Sequence, residues 1–424
     1  MRILIYSYNY APEPIGIAPL MTELAEGIVN RGHEVRVVTA MPWYPAGEII
    51  PEYKGQLFKT ENINGVKVQR SYIWTRKKRS LANRIGFELS FICLSMFQAL
   101  RGWRPDVILL TVPGLPVSIP ATILGGIYNC PVVLNLQDIL PDAAVHVGLI
   151  KNQKVIKVLK TLESFAYRHA TKISVIADGF TKNIMAKGIK ADKITEIPNW
   201  VDTNLIKPQA KENNYFRQEN DLENKFVVLY SGNIALTQGL ETVIQAAKRL
   251  QHLEPIAIAI VGESKAQARL QAYCDDHNVT NVRFLPFQPR AKLSQMLAAA
   301  DVGLVIQKKN VLDFNMPSKI QVLLASGRAI IASVPSTGTA ASAIRKSRGG
   351  LVTSPEDPQD LADAIAKLYH DQELTARLGE QGRVYAEQNY SFESALDKYE
   401  QLFDSVIRGS AIAPASSTTI ANNT

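Results

Sequence analysis

The sequence predicts an α/β protein built from two doubly wound, mostly parallel sheets with helices on their faces. Three observations carry this reading. Short apolar runs alternate with helix-length stretches through the first half, a polar stretch from residue 198 to about 225 interrupts the pattern, and the same alternation then starts afresh. The 424 residues, 46% hydrophobic and 20% charged, suffice for two or three domains and exclude disorder for the bulk of the chain.

The opening run Ile3-Leu4-Ile5-Tyr6-Ser7 is too short for a signal-peptide core and reads as a buried first strand. Strand-like runs follow at 35–39, 66–73, 107–111, 132–136 and 173–176, with helical stretches at 16–30, 156–169 and 180–187. The unbroken apolar character of Val107-Ile108-Leu109-Leu110 fits a strand covered on both faces. Strands alternating with helices mean βαβ units. In the second half, strands are expected at 226–230, 256–261, 282–285, 302–306 and 329–332, with helices at 239–250, 265–276, 293–300, 317–325 and 361–370. A last helix at 392–407 has Ser391 before it as an N-cap. The expected organisation is a first domain at 1–199, a linker at 200–224, a second domain at 225–390, a helix at 391–408 crossing back to the first domain, and a disordered tail at 409–424.

The balance of 47 basic and 39 acidic residues, net +8, calls for an anionic partner. Nucleic acid is set aside, because the basic residues are spread widely and no aromatic–basic platform appears. Three cysteines, odd in number and far apart in apolar segments, argue for buried thiols rather than disulfides. The six histidines make no ligand-type spacing, so no metal ion is expected.

Four loops carry candidate chemistry. The first strand runs into a two-proline loop in which Gly16 opens a helix, leaving free N–H groups for an anion, although a strand-to-helix turn needing glycine explains the same residues. Gln137-Asp138 ends a buried strand, where Asp138 is placed to hold sugar hydroxyls or to cap a turn. Gly232-Asn233 and Gln238 form the matching loop of the second domain, polar but uncharged. Pro317-Ser318-Lys319 opens a helix with a fixed cation beside its N–H groups, an arrangement that suits a diphosphate. A further stretch, Arg76-Lys77-Lys78-Arg79 with Arg84, precedes an apolar segment containing Phe87 and Phe91. It is too short to span a bilayer and reads as an interfacial helix beside a basic cluster, or as an ordinary core helix.

Taken together these stretches resemble the retaining glycosyltransferases of family 4. The likeness lies in Tyr8-Asn9-Tyr10-Ala11-Pro12-Glu13 with Gly16, Ile197-Pro198-Asn199-Trp200, Ser231-Gly232-Asn233 with Gln238-Gly239, and Ala300-Asp301. Gln137-Asp138-Ile139-Leu140-Pro141-Asp142 and Met316-Pro317-Ser318-Lys319 are similar to the branch containing the colanic acid fucosyltransferase of bacterial exopolysaccharide assembly. The resemblance implies a GT-B fold, two Rossmann-like domains facing across a cleft. It implies a nucleotide-diphosphate sugar as donor substrate, with Gly16, Gly232, Asn233, Gln238, Gly262, Pro317, Ser318 and Lys319 around it. The acceptor, a lipid-linked saccharide, would meet Glu13, Gln137 and Asp138, with Asp138 and Lys319 as the catalytic pair and no cofactor. The expected location is cytoplasmic, peripheral on the inner face of the plasma membrane, with Arg76 to Arg79, Arg84, Phe87 and Phe91 at the lipid.

The chain departs from that family at three places. Asn233 and Gln238 stand where an arginine and a lysine are usual, Phe314 and Val322 stand where two glutamates are usual, and Gln137 replaces a histidine. With no glutamate nucleophile, same-face attack by the acceptor hydroxyl is the implied route, and Lys319 is the expected replacement for the missing cations. An epimerase acting on nucleotide sugars and a catalytically decayed membrane scaffold are the competing readings.

Overall fold

The computed structural model describes residues 1–76, 80–112, 114–234 and 238–412. The chain forms two compact units: unit 1 comprises Met1–Ile176, Phe180–Ile197 and the residues from Leu396 onward, and unit 2 comprises Ala177–Gly179 and Pro198–Ala395.

Unit 1 is built on eight strands: β1 (Arg2–Tyr6), β2 (Glu34–Ala40), β3 (Phe58–Ile63), β4 (Val66–Ser71), β5 (Val107–Val112), β6 (Val132–Leu136), β7 (Lys172–Val175) and β8 (Ile194–Glu196). They lie in the order β3-β4-β2-β1-β5-β6-β7-β8. All pairs are parallel except β3 with β4, an antiparallel hairpin closed by Asn64-Gly65, both with positive φ. Asn-Gly is the sequence signature of that two-residue turn. The chain winds one way from β1 to β2 and the other way from β5 onward, so β1 and β5 flank a topological switch point, where ligands bind beyond the strand ends. The helices α1 (Ala18–Asn30), α2 (Leu81–Leu100) and α3 (Ser118–Tyr128) cover its faces.

A buried arginine fixes α2. Arg36, on β2, is fully buried; its guanidinium donates to the carbonyls of Ala99 and Arg101 at 2.8 Å and of Trp103 at 3.0 Å, and to Gln69 Oε1 at 3.1 Å. The carbonyls at the helix end, which no turn beyond would satisfy, are thus bound by a cation that complements the helix dipole.

Unit 2 carries β9 (Phe226–Ser231), β10 (Ile256–Gly262), β11 (Val282–Pro286), β12 (Val302–Ile306), β13 (Ala329–Ser333) and β14 (Gly350–Thr353) in the order β11-β10-β9-β12-β13-β14, all parallel. Its switch point lies between β9 and β12. The strand period of two divides β9 between two cores, Val227 and Leu229 on one face and Phe226, Val228 and Tyr230 on the other.

Two expectations about organisation need revision. Residues 200–224 are not a free linker but part of unit 2: Phe216 and Leu222 are buried in its core, and Arg217 donates to Asp301 at 2.6 Å. The polar sequence here reflects an exposed surface pinned to the core by a few buried residues and the Arg217–Asp301 ion pair. The last helix, Phe392–Ile412, is capped by Ser391, whose hydroxyl accepts from Ser394 N at 3.2 Å, and it runs past 408 into the stretch expected as tail. In unit 1 Arg31 holds it through Asp397 and Glu400, each at 2.7 Å. The tail beyond 412 lies outside the described residues.

Candidate active site

In unit 1 the loop after β1 is braced from behind. Arg70, fully buried on β4, donates to the Ala11 carbonyl and to Glu61 Oε1, both at 2.5 Å. Glu13 is also buried, and its carboxylate accepts from Trp43 N at 2.9 Å, Tyr44 N at 2.8 Å and Asn9 Nδ2 at 2.7 Å. Burial raises its pKa against the pull of those donors. Glu13, expected at the acceptor, therefore ties the loop at 41–47 to the loop at 8–16 and has turned away from open space. It is a positioning residue.

The two loops enclose a pocket of about 470 Å³ lined by Tyr8, Gly16, Trp43, Tyr44, Gln137 and Asp138. Gly16 has φ +75, a backbone conformation that favours glycine, and it lies in contact range of the Tyr44 ring. Gln137 Nε2 is held by Asn135 Oδ1 at 3.0 Å, and Asp138 Oδ1 accepts from Ile139 N at 2.8 Å. Burial raises the Asp138 pKa; the Ile139 amide opposes it. The structure thus brings Gly16, Gln137 and Asp138 together at the switch point.

Arg84 and Phe87 also line this pocket. That corrects the expectation that Phe87 and Phe91 meet lipid. Phe91 is fully buried, with its ring 4.5 Å from the Tyr8 ring, and Phe87 stacks on Tyr8 at 5.4 Å and meets Trp43 edge-on at 4.9 Å. Phe87 lines the pocket, and Phe91 packs behind Tyr8. The exposed side of α2 is a different apolar row, Ile85, Leu89, Cys93 and Phe97, spaced four residues apart; Leu89 and Phe97 are 56% and 63% exposed. Cys93 is therefore an exposed thiol, contrary to expectation. No helix among the described residues is long and apolar enough to cross a membrane. Lys77, Lys78 and Arg79 lie outside the described residues, while Arg76 and Arg84 are exposed.

In unit 2 Lys319 opens the helix Lys319–Ala325, and its side chain reaches the end of β9. Its Nζ lies 3.7 Å from the centre of the Tyr230 ring, buried and, among the described residues, with no hydrogen-bond partner. Burial brings its pKa down to about 7. Gly232, at φ +136, lies beside it; a Cβ there would fall 3.2 Å from Nζ. Gly262 ends the neighbouring strand and packs on Ile234. The Asn233 side chain is exposed, and its carbonyl accepts from the Tyr230 hydroxyl at 2.8 Å. Gln238 precedes Gly239, along which the Lys308 chain runs. Pro317 and Ser318 stand before the helix, not in its first turn, and Ser318 makes no side-chain cap. Phe314 is buried, as an apolar residue in place of a glutamate requires.

Lys308 and Lys309 follow β12 after Gln307, a basic pair near the unit 2 switch point that the sequence reading did not single out. That reading also missed Trp43 and Tyr44 as pocket walls.

Residues 16–200 match the family model described as "Glycosyl transferase 4-like domain", and residues 211–385 match "Glycosyl transferases group 1". The chain is 34% identical over 334 residues to the putative colanic acid biosynthesis glycosyl transferase WcaI of Escherichia coli (strain K12), covering 77% of this chain and 82% of that protein. The chain belongs to the glycosyltransferases. This glycosyltransferase is also 26% identical over 301 residues to the probable glycosyltransferase WbjE of Pseudomonas aeruginosa, covering 71% of this chain and 72% of the other. Its fold is GT-B. The solved structure of Anabaena Alr3699/HepE in complex with UDP and glucose superimposes with a TM-score of 0.67 at 18% identity, covering 96% of this chain and all of that one (100%). WaaG, described as a glycosyltransferase involved in lipopolysaccharide biosynthesis, gives 0.61 at 16% identity, covering 95% of this glycosyltransferase and 99% of WaaG.

Proposed function

We propose that this glycosyltransferase retains anomeric configuration and works in cell-surface polysaccharide assembly, moving a sugar from a nucleotide-diphosphate donor held by unit 2 to a lipid-linked saccharide held by unit 1. The observation that carries the reading is Lys319: a buried amine, without a hydrogen-bond partner among the described residues, beside a glycine at the end of β9. An ammonium in that setting lacks a counter-charge, and a diphosphate supplies one through charge-assisted hydrogen bonds. The colanic acid relative, the lipopolysaccharide enzyme and the UDP complex all support this assignment by analogy.

The acceptor hydroxyl attacks the anomeric carbon on the face the diphosphate leaves. The bond from that carbon to the phosphate oxygen breaks, its electron pair goes to the diphosphate, and the hydroxyl proton passes to a leaving phosphate oxygen. Lys319 and nearby backbone N–H groups stabilise the charge that builds there, worth on the order of 3 kcal/mol in comparable sites. Asp138 holds a sugar hydroxyl through the oxygen not bound to Ile139. No metal ion or cofactor forms part of the reading.

The exposed row on α2 supports a peripheral place on an anionic lipid surface. Arg76 and Arg84 stand at its N-terminal end, and Ile123 and Ile127 of the adjoining α3 add exposed apolar area. The expected location is the cytoplasmic face of the plasma membrane.

A thermal-shift and calorimetry panel of UDP, GDP and their sugar conjugates, beside NAD and ATP, tests the assignment. A ligand at a hundred times its Kd stabilises by ~2.7 kcal/mol. Selective response to one diphosphate is expected; response to none overturns the reading.

A further inference from the structure

The pocket beside Asp138 continues past Trp43. It shares Trp43, Tyr44, Arg84 and Phe87 with a second cavity of about 510 Å³. That cavity is walled by the indoles of Trp43 and Trp74 and carries the guanidinium groups of Arg76 and Arg84. Arg76 lies 5.0 Å from the centre of the Trp74 ring. Arg84 sits 5.2 Å from the Phe87 ring and is steered by Glu88 at 2.5 Å, whose other oxygen takes the Tyr8 hydroxyl. Glu88 balances Arg84, so Arg76 leaves the cavity a net positive charge, and the aromatic side chains in its lining offer apolar surface.

That combination selects a ligand class. The C–H face of a sugar ring lies flat on an indole, and planar guanidinium groups take phosphate or carboxylate oxygens two at a time.

We propose that this second cavity is an acceptor subsite for a sugar bearing an anionic group, with the ring against Trp43 and the anion met by Arg76, held on Trp74, and by Arg84. The inference rests on the reading of unit 1 as the acceptor-binding unit and adds the acceptor's chemical class. Because the two cavities share a wall, the sugar at Asp138 and the anionic unit here are neighbouring parts of one acceptor. The anion is either the diphosphate joining a sugar to its lipid or the carboxylate of an acidic sugar; the arginines meet the same chemistry in both.

Titrating the full chain by tryptophan fluorescence and calorimetry with three probes tests this: N-acetylglucosaminyl diphosphate farnesol, methyl glucuronide and methyl glucoside. At least one charged probe should bind about tenfold more tightly than methyl glucoside. Arg76→Gln should remove about that factor for the charged probe and leave methyl glucoside unaffected; Arg84→Gln should do the same. Preference for the lipid diphosphate assigns the anion to the carrier, and preference for the glucuronide assigns it to the glycan. Equal binding of all three, binding of none, or an Arg76→Gln variant with unchanged affinities overturns the proposal. Nucleotide binding is read in the same samples, so failure of the subsite and failure of the transferase reading are told apart. Both arginines are exposed, and unchanged circular dichroism of the variants checks the fold.

Discussion

Lys319 Nζ stands 3.7 Å from the centre of the Tyr230 ring and meets no hydrogen-bond acceptor among the described residues. It lies over the ring face rather than at the hydroxyl, which donates to the Asn233 carbonyl at 2.8 Å. The amine has lost its hydration and gained only a ring face, which explains why burial lowers its pKa to about 7.

Donor binding should take up a proton. A diphosphate restores the ordinary basicity of Lys319, so above pH about 7 the amine must be protonated as the ligand arrives. Affinity for the nucleotide should fall by up to about tenfold per pH unit above that point. Calorimetry in two buffers of different ionisation enthalpy reads the uptake directly, and Lys319→Met should bind more weakly with a flat pH profile.

Stability of the ligand-free chain should move the opposite way. Between about pH 7 and the ordinary lysine value of 10.5 the unfolded chain holds the proton that folded Lys319 has given up. More protons on the unfolded state means stability that rises with pH through that window and is lost below it. Melting temperatures of Lys319→Met should lack this rise and exceed those of the natural chain at neutral pH.

Asp138→Asn should lower turnover roughly 10- to 100-fold, the worth of a hydrogen bond to a charged group, while leaving nucleotide affinity in unit 2 intact. In the natural chain, the rate should fall as pH drops through a point above the usual aspartate value of 3.8, since burial raises this carboxyl. Steady-state kinetics at graded pH, with nucleotide titration of the variant, check both.

Glu13→Ala should destabilise the chain by about 3 kcal/mol, because it strands the two buried amides of Trp43 and Tyr44. Denaturant unfolding measures the loss. Glu13→Gln, which keeps an acceptor oxygen, should recover part of it.

Leu89→Glu with Phe97→Glu should weaken co-sedimentation with anionic vesicles, without changing the melting temperature, because both side chains are exposed. Unchanged sedimentation would remove lipid as the occupant of that row.

Much of the fold could be read in the sequence because parallel strands buried on both faces leave unmistakable apolar runs; β5 and β10 are fully buried throughout. The edge was harder. β3 has the polar sequence Phe58-Lys59-Thr60-Glu61-Asn62-Ile63, as an edge strand does, and only its Asn64-Gly65 turn marked it. At the site, strand-end positions located Gly16 and Asp138, since topology alone puts them at a switch point. Orientation was not legible. Glu13 turns inward because two amides thirty residues away need an acceptor, and Phe87 turns to Tyr8 because the opposite row of α2 is the exposed one. Sequence periodicity gives a helix two apolar sides here and does not say which one packs.

The grip of Arg36 on the end of α2 makes that helix a ruler. A slip by one turn would carry the bound carbonyls ~5.4 Å out of reach, so the register between helix and sheet is locked. Arg84 and Phe97, 13 residues apart on one rigid axis, are therefore held ~20 Å from each other along the helix whatever occupies them. A molecule anchored at the arginine and lying down the apolar row is measured against that length: a tail shorter than ~20 Å leaves Phe97 bare, and a longer one runs beyond the helix.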